Sequence, residues 1–425
     1  MSTGAGPSTL KFAALRIPAY RRYFVALLMS MVADNIEHVI SYWVMFKAFH
    51  SPALAGFAVI SHWVPFLLFS LHTGALADRY DCRKLIHVSQ ALYVVASVAW
   101  GLLFLTDTLQ MWHAVAILLI HGAAGVIVAP ASQLIIHEIV GREQLPSAIR
   151  LNASSRYLAI LLGPAIGGGL MLLFGPAWGL LVNVLIYMPF SIFALRTPYT
   201  GHDGRAAGRS ARAFAWSEVT RVLATARADP RIMTMIVLAG ASSFFVGTAF
   251  QAQMPEYAQY LGADDSGAWY SILLAANAAG AILGVIWLEG GFDLRPSVRT
   301  ALLCAIFWGI TMGLFPLAQS YTTAVALLVL AGIFSIAFTS MAQTLVQMLA
   351  PANVRGAIVG LFNTSMLGLR AGSGITVGVV GTFIGVRLSL ELASLAFVLV
   401  ALGLLARERL GDHRAAATAM HETLN

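Results

Sequence analysis

Charge is what this chain has least of. Only 11% of its 425 residues are Asp, Glu, Lys or Arg, whereas a soluble domain carries roughly 25%. Cysteine is nearly absent too. Cys82 lies in a short charged stretch and Cys304 inside an apolar run, so no disulfide framework and no Cys-x-x-Cys metal site is available. There is no Gly-Lys-Ser/Thr nucleotide loop and no Gly-x-Ser-x-Gly nucleophile turn. Their absence excludes a nucleotide-driven pump and a serine hydrolase and gives no sign of an enzyme or a cofactor. Residues 1–18 contain no apolar h-region, so a cleaved signal peptide is not expected. The net charge of +7 and the pI near 9.6 do not indicate nucleic acid, because the bases are not clustered with aromatics on a polar segment.

Hydrocarbon fills the chain instead: 59% of residues are hydrophobic and the mean hydropathy is +0.79. A helix needs about 20 apolar residues to cross a bilayer. Twelve runs reach that length, at 23–46, 53–77, 85–105, 112–139, 147–173, 177–196, 231–252, 268–289, 299–318, 321–349, 355–379 and 387–406. The long polar break is 197–230, which carries GHDGRAAGRSAR and then an amphipathic stretch, 214–228. The chain therefore reads as an all-α membrane protein of twelve transmembrane helices in two six-helix halves, 1–196 and 231–425, joined by a cytoplasmic linker, 197–230.

The bases orient these spans. With the N-terminus inside, 22 of the 26 lysines and arginines fall in cytoplasmic segments, only Lys47 and Arg387 lie outside, and Arg156 and Arg370 sit within spans. Positive-inside bias places both termini in the cytoplasm.

The halves repeat each other. Asn152-Ala153-Ser154 followed by Gly163 and Gly167 matches Asn363-Thr364-Ser365 followed by Gly374 and Gly378, at a constant offset of 211 residues. Duplicated halves around a midplane site are the architecture of alternating-access transporters. Between the second and third runs lies Gly74-Ala75-Leu76-Ala77-Asp78-Arg79-Tyr80-Asp81-Cys82-Arg83-Lys84. Its glycine lets two helix ends approach, and its acid and bases can latch at the membrane surface. This ordered spacing resembles the loop signature of the major facilitator superfamily, which implies a conformational latch at Gly74, Asp78, Arg79 and Arg83. The second copy, around 284–295, keeps an acid and an arginine but no ordered Asp-Arg pair.

The fifth run carries Gly163-Pro164-Ala165-Ile166-Gly167-Gly168. Such density would weaken a soluble helix by about 1 kcal/mol per Gly and 3 per Pro, but in a bundle it makes a flat surface for close helix packing. The run resembles the antiporter signature of drug and metabolite exporters, with Gly163, Pro164, Gly167 and Gly168 in its key positions. Further runs, Pro130-Ala131-Ser132, Leu145-Pro146-Ser147-Ala148 and Val354-Arg355-Gly356, resemble the bacterial branch that includes enterobactin exporters and macrolide efflux pumps. That resemblance implies a bacterial inner membrane location and export.

Charges inside the membrane point to mechanism, because each costs about 2.5–3.5 kcal/mol at a helix centre on insertion scales. Asp34, Glu37 and His38 lie in the first run, with Glu37 and His38 placed beside Asp34 by i,i+3 and i,i+4 spacing. The cluster is a candidate proton carrier, with His38 as the partner of Asp34; Glu37 could instead be solvated near the outer edge. In the fourth run, His121 stands four residues before Gly125, where drug antiporters usually have arginine. A histidine titrates near neutrality and so could couple directly. Substrate-cavity candidates are Tyr42, His62, Trp63, Arg156, Phe245 and Arg370.

These features imply a proton-coupled exporter of a small amphiphilic organic solute, working as a monomer in the lipid bilayer without nucleic acid. A divalent-metal exporter remains open, since Asp34 and His38 could both ligate a cation, though a metal site needs further ligands. A lysophospholipid transporter remains open through Asp34-Asn35. A receptor or scaffold would require neither a buried charge cluster nor duplicated halves.

Overall fold

The computed structural model of the chain describes residues 13–202, 216–262, 267–289, 297–351 and 354–423. Arg205, Arg209 and Arg212 of the polar break, and Arg295 of the second charged loop, lie outside the described residues. Every regular element among the described residues is helical.

Helix α1, Pro18–Phe49, starts with proline at N1, where the missing N–H costs nothing. It ends at His50 in the left-handed conformation, whose N–H bonds Phe46 O at 2.9 Å. Helix α2 is Pro52–Arg79 and α3 is Cys82–Leu105. A continuous helical run, Met111–Arg196, follows, broken by non-helical backbone at Gly141 (φ 65°) and Gly175 (φ 79°). These glycines adopt a region that other residues avoid, and they separate α4 (Met111–Gly141), α5 (142–174) and α6 (176–196).

Helix α7, Pro230–Phe245, is interrupted at 246–248 and resumes as Ala249–Ala252. Then come α8, Ala268–Glu289; α9, Val298–Leu314; α10, Tyr321–Leu349; α11, 355–384; and α12, Val386–Thr423. Side-chain caps start three of them: Asp229 on α7, Ser297 on α9 and Ser320 on α10 each accept a backbone N–H of the first turn. The amphipathic stretch of the linker forms a helix, Trp216–Ala228.

Eleven continuous segments are long and apolar enough to cross a membrane. One of them, Leu158–Arg196, has 39 residues, about 58 Å of helix against a hydrocarbon core of about 30 Å. The break at Gly175 divides it into two helices, which gives twelve candidate crossings among the described residues. Large apolar side chains such as Leu173, Leu185 and Phe383 project outward largely exposed; in lipid that exposure is favourable. The protein is an all-α, multi-pass membrane protein.

Contacts divide the chain into two compact units whose borders fall inside α2 and α8. The first comprises Met1–His50, Val64–Phe214 and Asp264–Ile272. Its core gathers Tyr20, Tyr23, Ile86, Ile135 and Phe190, with the Tyr20 hydroxyl donating to Ala148 O at 2.9 Å and Tyr23 to Ser132 O at 3.2 Å. Here Gly163 and Gly167 of α5 press on Asn35 and Val39 of α1, and Gly168 lies on Ser271 of α8. The start of α8 is fixed by the Tyr270 hydroxyl on Val39 O at 2.9 Å and by a stack of Tyr270 on Trp43.

The second unit comprises Ser51–Trp63, Ala215–Ala263 and Leu273–Asn425. In it Gly280 of α8 and Gly332 of α10 meet each other's helix at backbone contact. Trp308 stacks on Phe338 and meets Phe397 edge-on. Gly374 and Gly378 of α11 hold Gly56 of α2 so closely that a Cβ on any of the three would strike backbone. The glycines related by the 211-residue offset thus do the same job in each unit, letting a neighbouring helix approach at backbone distance.

Helix α11 departs from α-geometry in two π-helical stretches, Thr364–Gly368 and Gly374–Val379. They and the break in α7 were not visible in the apolar pattern.

Candidate functional site

One polar cluster occupies the interior of the first unit. Helix α1 presents Asp34, Glu37 and His38, α4 presents His121, α3 presents Tyr93 and Ser97, and α6 presents Asn183 and Tyr187. His121 is the centre. Its Nδ1 lies 2.8 Å from Glu37 Oε1 and its Nε2 lies 2.9 Å from Asp34 Oδ1. The second oxygen of Glu37 accepts from Ser97 Oγ at 2.5 Å and from the Tyr187 hydroxyl at 3.3 Å. Asn183 donates to Ser97 Oγ at 3.4 Å and to Ala33 O at 2.9 Å, which fixes the serine against α1.

The two carboxylates differ in surroundings. Glu37 is only 1% exposed and is ringed by polar partners, so its carboxyl is satisfied by hydrogen bonds rather than by water. It is not solvated at an edge. Asp34 keeps 25% of its side chain open. The histidine closest to Asp34 is His121 rather than His38, whose Nδ1 stands 3.8 Å from Oδ1 and 2.8 Å from the Asp34 backbone oxygen. His38 instead flanks the cluster, its ring 4.8 Å from the ring of His121 and 5.5 Å from that of Tyr42.

Aromatics wall the site. Tyr93 packs its ring edge-on to His121 at 4.9 Å and stacks on Tyr187 at 5.2 Å. A Cβ on Gly125 would lie 3.2 Å from the Tyr93 hydroxyl. The glycine one turn from His121 therefore leaves room for the tyrosine that packs on the imidazole. Arg156 projects exposed from α5, outside the hydrogen bonds and ion pairs of this cluster.

Four of the cavity candidates fall in the second unit. The Arg370 guanidinium lies 4.8 Å over the Trp63 ring, and His62 meets that ring edge-on at 4.9 Å. The Phe245 carbonyl, at the end of the first part of α7, accepts from Thr376 Oγ1 at 2.7 Å.

The charged loop between α2 and α3 is stitched through Asp81 and the segment that follows α6. Asp81 accepts the Arg83 N–H at 2.9 Å as the cap of α3 and clasps the guanidinium through Nη2 at 2.6 Å and Nε at 3.0 Å. These bonds hold the Asp81 carboxyl below its ordinary value. Arg83 Nη1 also donates to Thr197 O at 3.1 Å, Cys82 N to Thr200 O at 2.9 Å, and Gly201 N to Glu138 Oε2 at 2.5 Å. His202 Nε2 lies 3.1 Å from Asp78 O. The loop is thus sewn to the segment that follows α6. Gly74 has open space around it. Asp81, Glu138, Ser97 and Tyr187 are contributors that sequence reading missed. Asp81 carried a signal, since Asp at N-cap with Arg two residues on is a recognisable helix start; serine and tyrosine inside apolar runs carried none.

Comparisons with known proteins follow the geometry. A family profile described as transmembrane secretion effector matches residues 9–424. The staphyloferrin A transporter of Staphylococcus aureus is 20% identical over 146 residues, 34% of this chain and 37% of that protein. A putative multidrug resistance protein, MdtD, of Cronobacter sakazakii is 26% identical over 134 residues, 32% of this chain and 27% of that one. The matches thus span only about a third of those curated relatives or less. Among solved structures, a bacterial homolog of the human lysosomal transporter Spinster, inward-facing and unoccupied, superposes with a TM-score of 0.69 at 15% identity, covering 93% of this chain and 98% of that one. A D-xylose-proton symporter gives 0.65 at 14% identity over 92% and 97% of the two chains. At these identities the likeness is one of fold.

Proposed function

The chain belongs to the transmembrane secretion effector family of major facilitator transporters, and from that premise we propose that it is a proton-coupled exporter of a small amphiphilic organic solute. The reading places it in a bacterial inner membrane with both termini cytoplasmic. It takes the halves 1–196 and 231–425 as the bodies that alternate access, with Gly74, Asp78, Arg79 and Arg83 as a cytoplasmic latch.

The observation that carries the proposal is His121 between two carboxylates. A neutral imidazole has one N–H and one lone pair. With a carboxylate oxygen within 2.9 Å of each ring nitrogen, a lone pair facing either anion is repelled. The three groups therefore share protons among themselves, and the triad can take up and release one more. A group that does so in an apolar interior is a proton carrier, because its less charged form crosses the barrier at least cost. Asp34, the more open of the two acids, is the entry point, and Glu37, held by Ser97 and Tyr187, is the fixed counter-charge. The antiporter-like run Gly163–Gly168 supports export, by letting α5 lie tightly on α1 beside the cluster.

The test uses everted membrane vesicles acidified inside and offered ethidium, a macrolide and staphyloferrin A. Accumulation of one of these that an uncoupler abolishes is the expected result. Accumulation indifferent to the uncoupler would mean a uniporter or another coupling ion.

A further inference from the structure

Helix α1 carries Asp34 and His38 one turn apart, so i,i+4 spacing lays both on one face. Helix α4 brings His121 to that face, with Nε2 at 2.9 Å from Asp34 Oδ1. A proton shared across this contact accounts for Asp34 and His121 but gives His38 no part.

Each imidazole is oriented through its Nδ1. His121 Nδ1 lies 2.8 Å from Glu37 Oε1, and Glu37 is itself held by Ser97 Oγ and the Tyr187 hydroxyl. His38 Nδ1 lies 2.8 Å from the Asp34 backbone oxygen. A carbonyl oxygen only accepts, so His38 Nδ1 carries the N–H and Nε2 keeps the lone pair. When His121 Nδ1–H donates to Glu37, Nε2 is the nitrogen that faces Asp34. An imidazole tied back to a carboxylate or a backbone carbonyl is the arrangement that orients metal-ligating histidines. Here it occurs twice beside one carboxylate.

The spacing suits an ion as well. A ligand nitrogen of His38 and one of His121 stand within 4.8 Å of each other, and His121 Nε2 stands 2.9 Å from Asp34 Oδ1. Ligand atoms around a tetrahedral zinc, at about 2.0–2.1 Å from the ion, are roughly 3.3 Å apart, and the two separations bracket that value. Asp34 and His38 keep 25% and 21% of their side chains open, which gives an ion an approach and a fourth ligand, water, a place. The ion enters by displacing the shared proton, not by finding an idle group.

We propose that Asp34, His38 and His121 form a binding site for a divalent cation of the zinc class, with Glu37 as the outer carboxylate that orients His121. Two imidazole nitrogens and one carboxylate oxygen suit Zn2+, whereas Mg2+ and Ca2+ prefer shells of oxygen. The bound ion and the proton shared by Asp34 and His121 exclude each other. The site stands whether or not a proton gradient drives transport, and so goes beyond the function proposed above.

The test is calorimetric titration of Zn2+ into purified full-length protein in detergent, with no polyhistidine tag and no gradient. Wild type should take up one zinc per chain saturably, and about a hundredfold excess of Mg2+ should not displace it. Glu37→Gln should keep the stoichiometry and weaken binding by about 10–100-fold, the range for an outer-shell partner. His38→Gln and Asp34→Asn each remove a ligand and should weaken it by more than about 100-fold, beyond that outer-shell range. His38→Gln spares the bridge from Asp34 through His121 to Glu37, so its melting temperature without zinc should match wild type, and its loss of zinc reads the site rather than the fold. No saturable uptake by wild type, displacement by Mg2+, or unchanged affinity in either His38→Gln or Asp34→Asn would each overturn the assignment. None of these outcomes depends on the uncoupler experiment, so the metal site and proton coupling fail separately.

Discussion

At the scale of single residues, the cluster around His121 makes Asp34 and Glu37 unequal, and substitution should show it. Glu37→Gln can still accept the His121 Nδ1–H through its amide oxygen, so the fold survives while the counter-charge is gone. Asp34→Asn removes the open acid. Both variants should insert normally and exchange substrate down its gradient, yet lose accumulation against it, measured in vesicles with an imposed pH difference. Accumulation retained by both would remove the cluster from the coupling step. His121→Ala removes the imidazole that bridges the two acids, and breaking a buried ionic group in this way costs about 3–5 kcal/mol. It should show as a clear drop in melting temperature of the purified protein. Asp34, Glu37 and His38 were legible because an acid or imidazole in an apolar run stands out at once. The bridge was not. Spacing along one helix relates Asp34 to His38, but only packing of α4 on α1 sets His121 between the acids.

At the scale of elements, glycine does two different things in α5, and substitution separates them. A Cβ at Gly163 would strike Asn35, whereas nothing lies within 4 Å of one at Gly169. Gly163→Ala should therefore destabilise by about 1–3 kcal/mol through overpacking. Gly169→Ala should be neutral or slightly stabilising, since alanine is the better helix former; thermal unfolding of the two variants decides it. Helix α3 offers a pH test. The Asp81 carboxyl is held below its ordinary value by Arg83, so its contribution is complete above the unfolded value and is lost as pH falls through the lower folded one. Below about pH 4 wild type should lose melting temperature faster than Asp81→Asn, which can cap but not titrate. The crossings were readable from hydropathy because each is one unbroken apolar run. The interruption of α7 at 246–248 and the π-helical stretches of α11 were not, because they arise where Gly247 and Gly372 meet side chains from distant sequence.

At the scale of the whole molecule, the distribution of bases predicts topology directly. A fluorescent protein fused after Asn425 should fold and glow in the cytoplasm, while alkaline phosphatase inserted after Lys47 or before Arg387 should be active outside. The reverse pattern would invert the reading. The repeat at 211 residues was legible because small residues keep their spacing wherever helices must touch. The assignment of the start of α2 and the start of α8 to units built mainly from the opposite half of the chain was invisible, since no local pattern announces a distant partner. That assignment bears on how the protein is made. Synthesis completes α1 to α6 at residue 196, but the segment that covers Trp43 and Val39 is Tyr270. At about 5–20 residues per second the ribosome needs roughly 4–15 s to deliver it. For that interval the nascent first half sits in the bilayer with an aromatic face bare and Gly168 uncapped, a window in which membrane proteases and insertion chaperones compete for the chain.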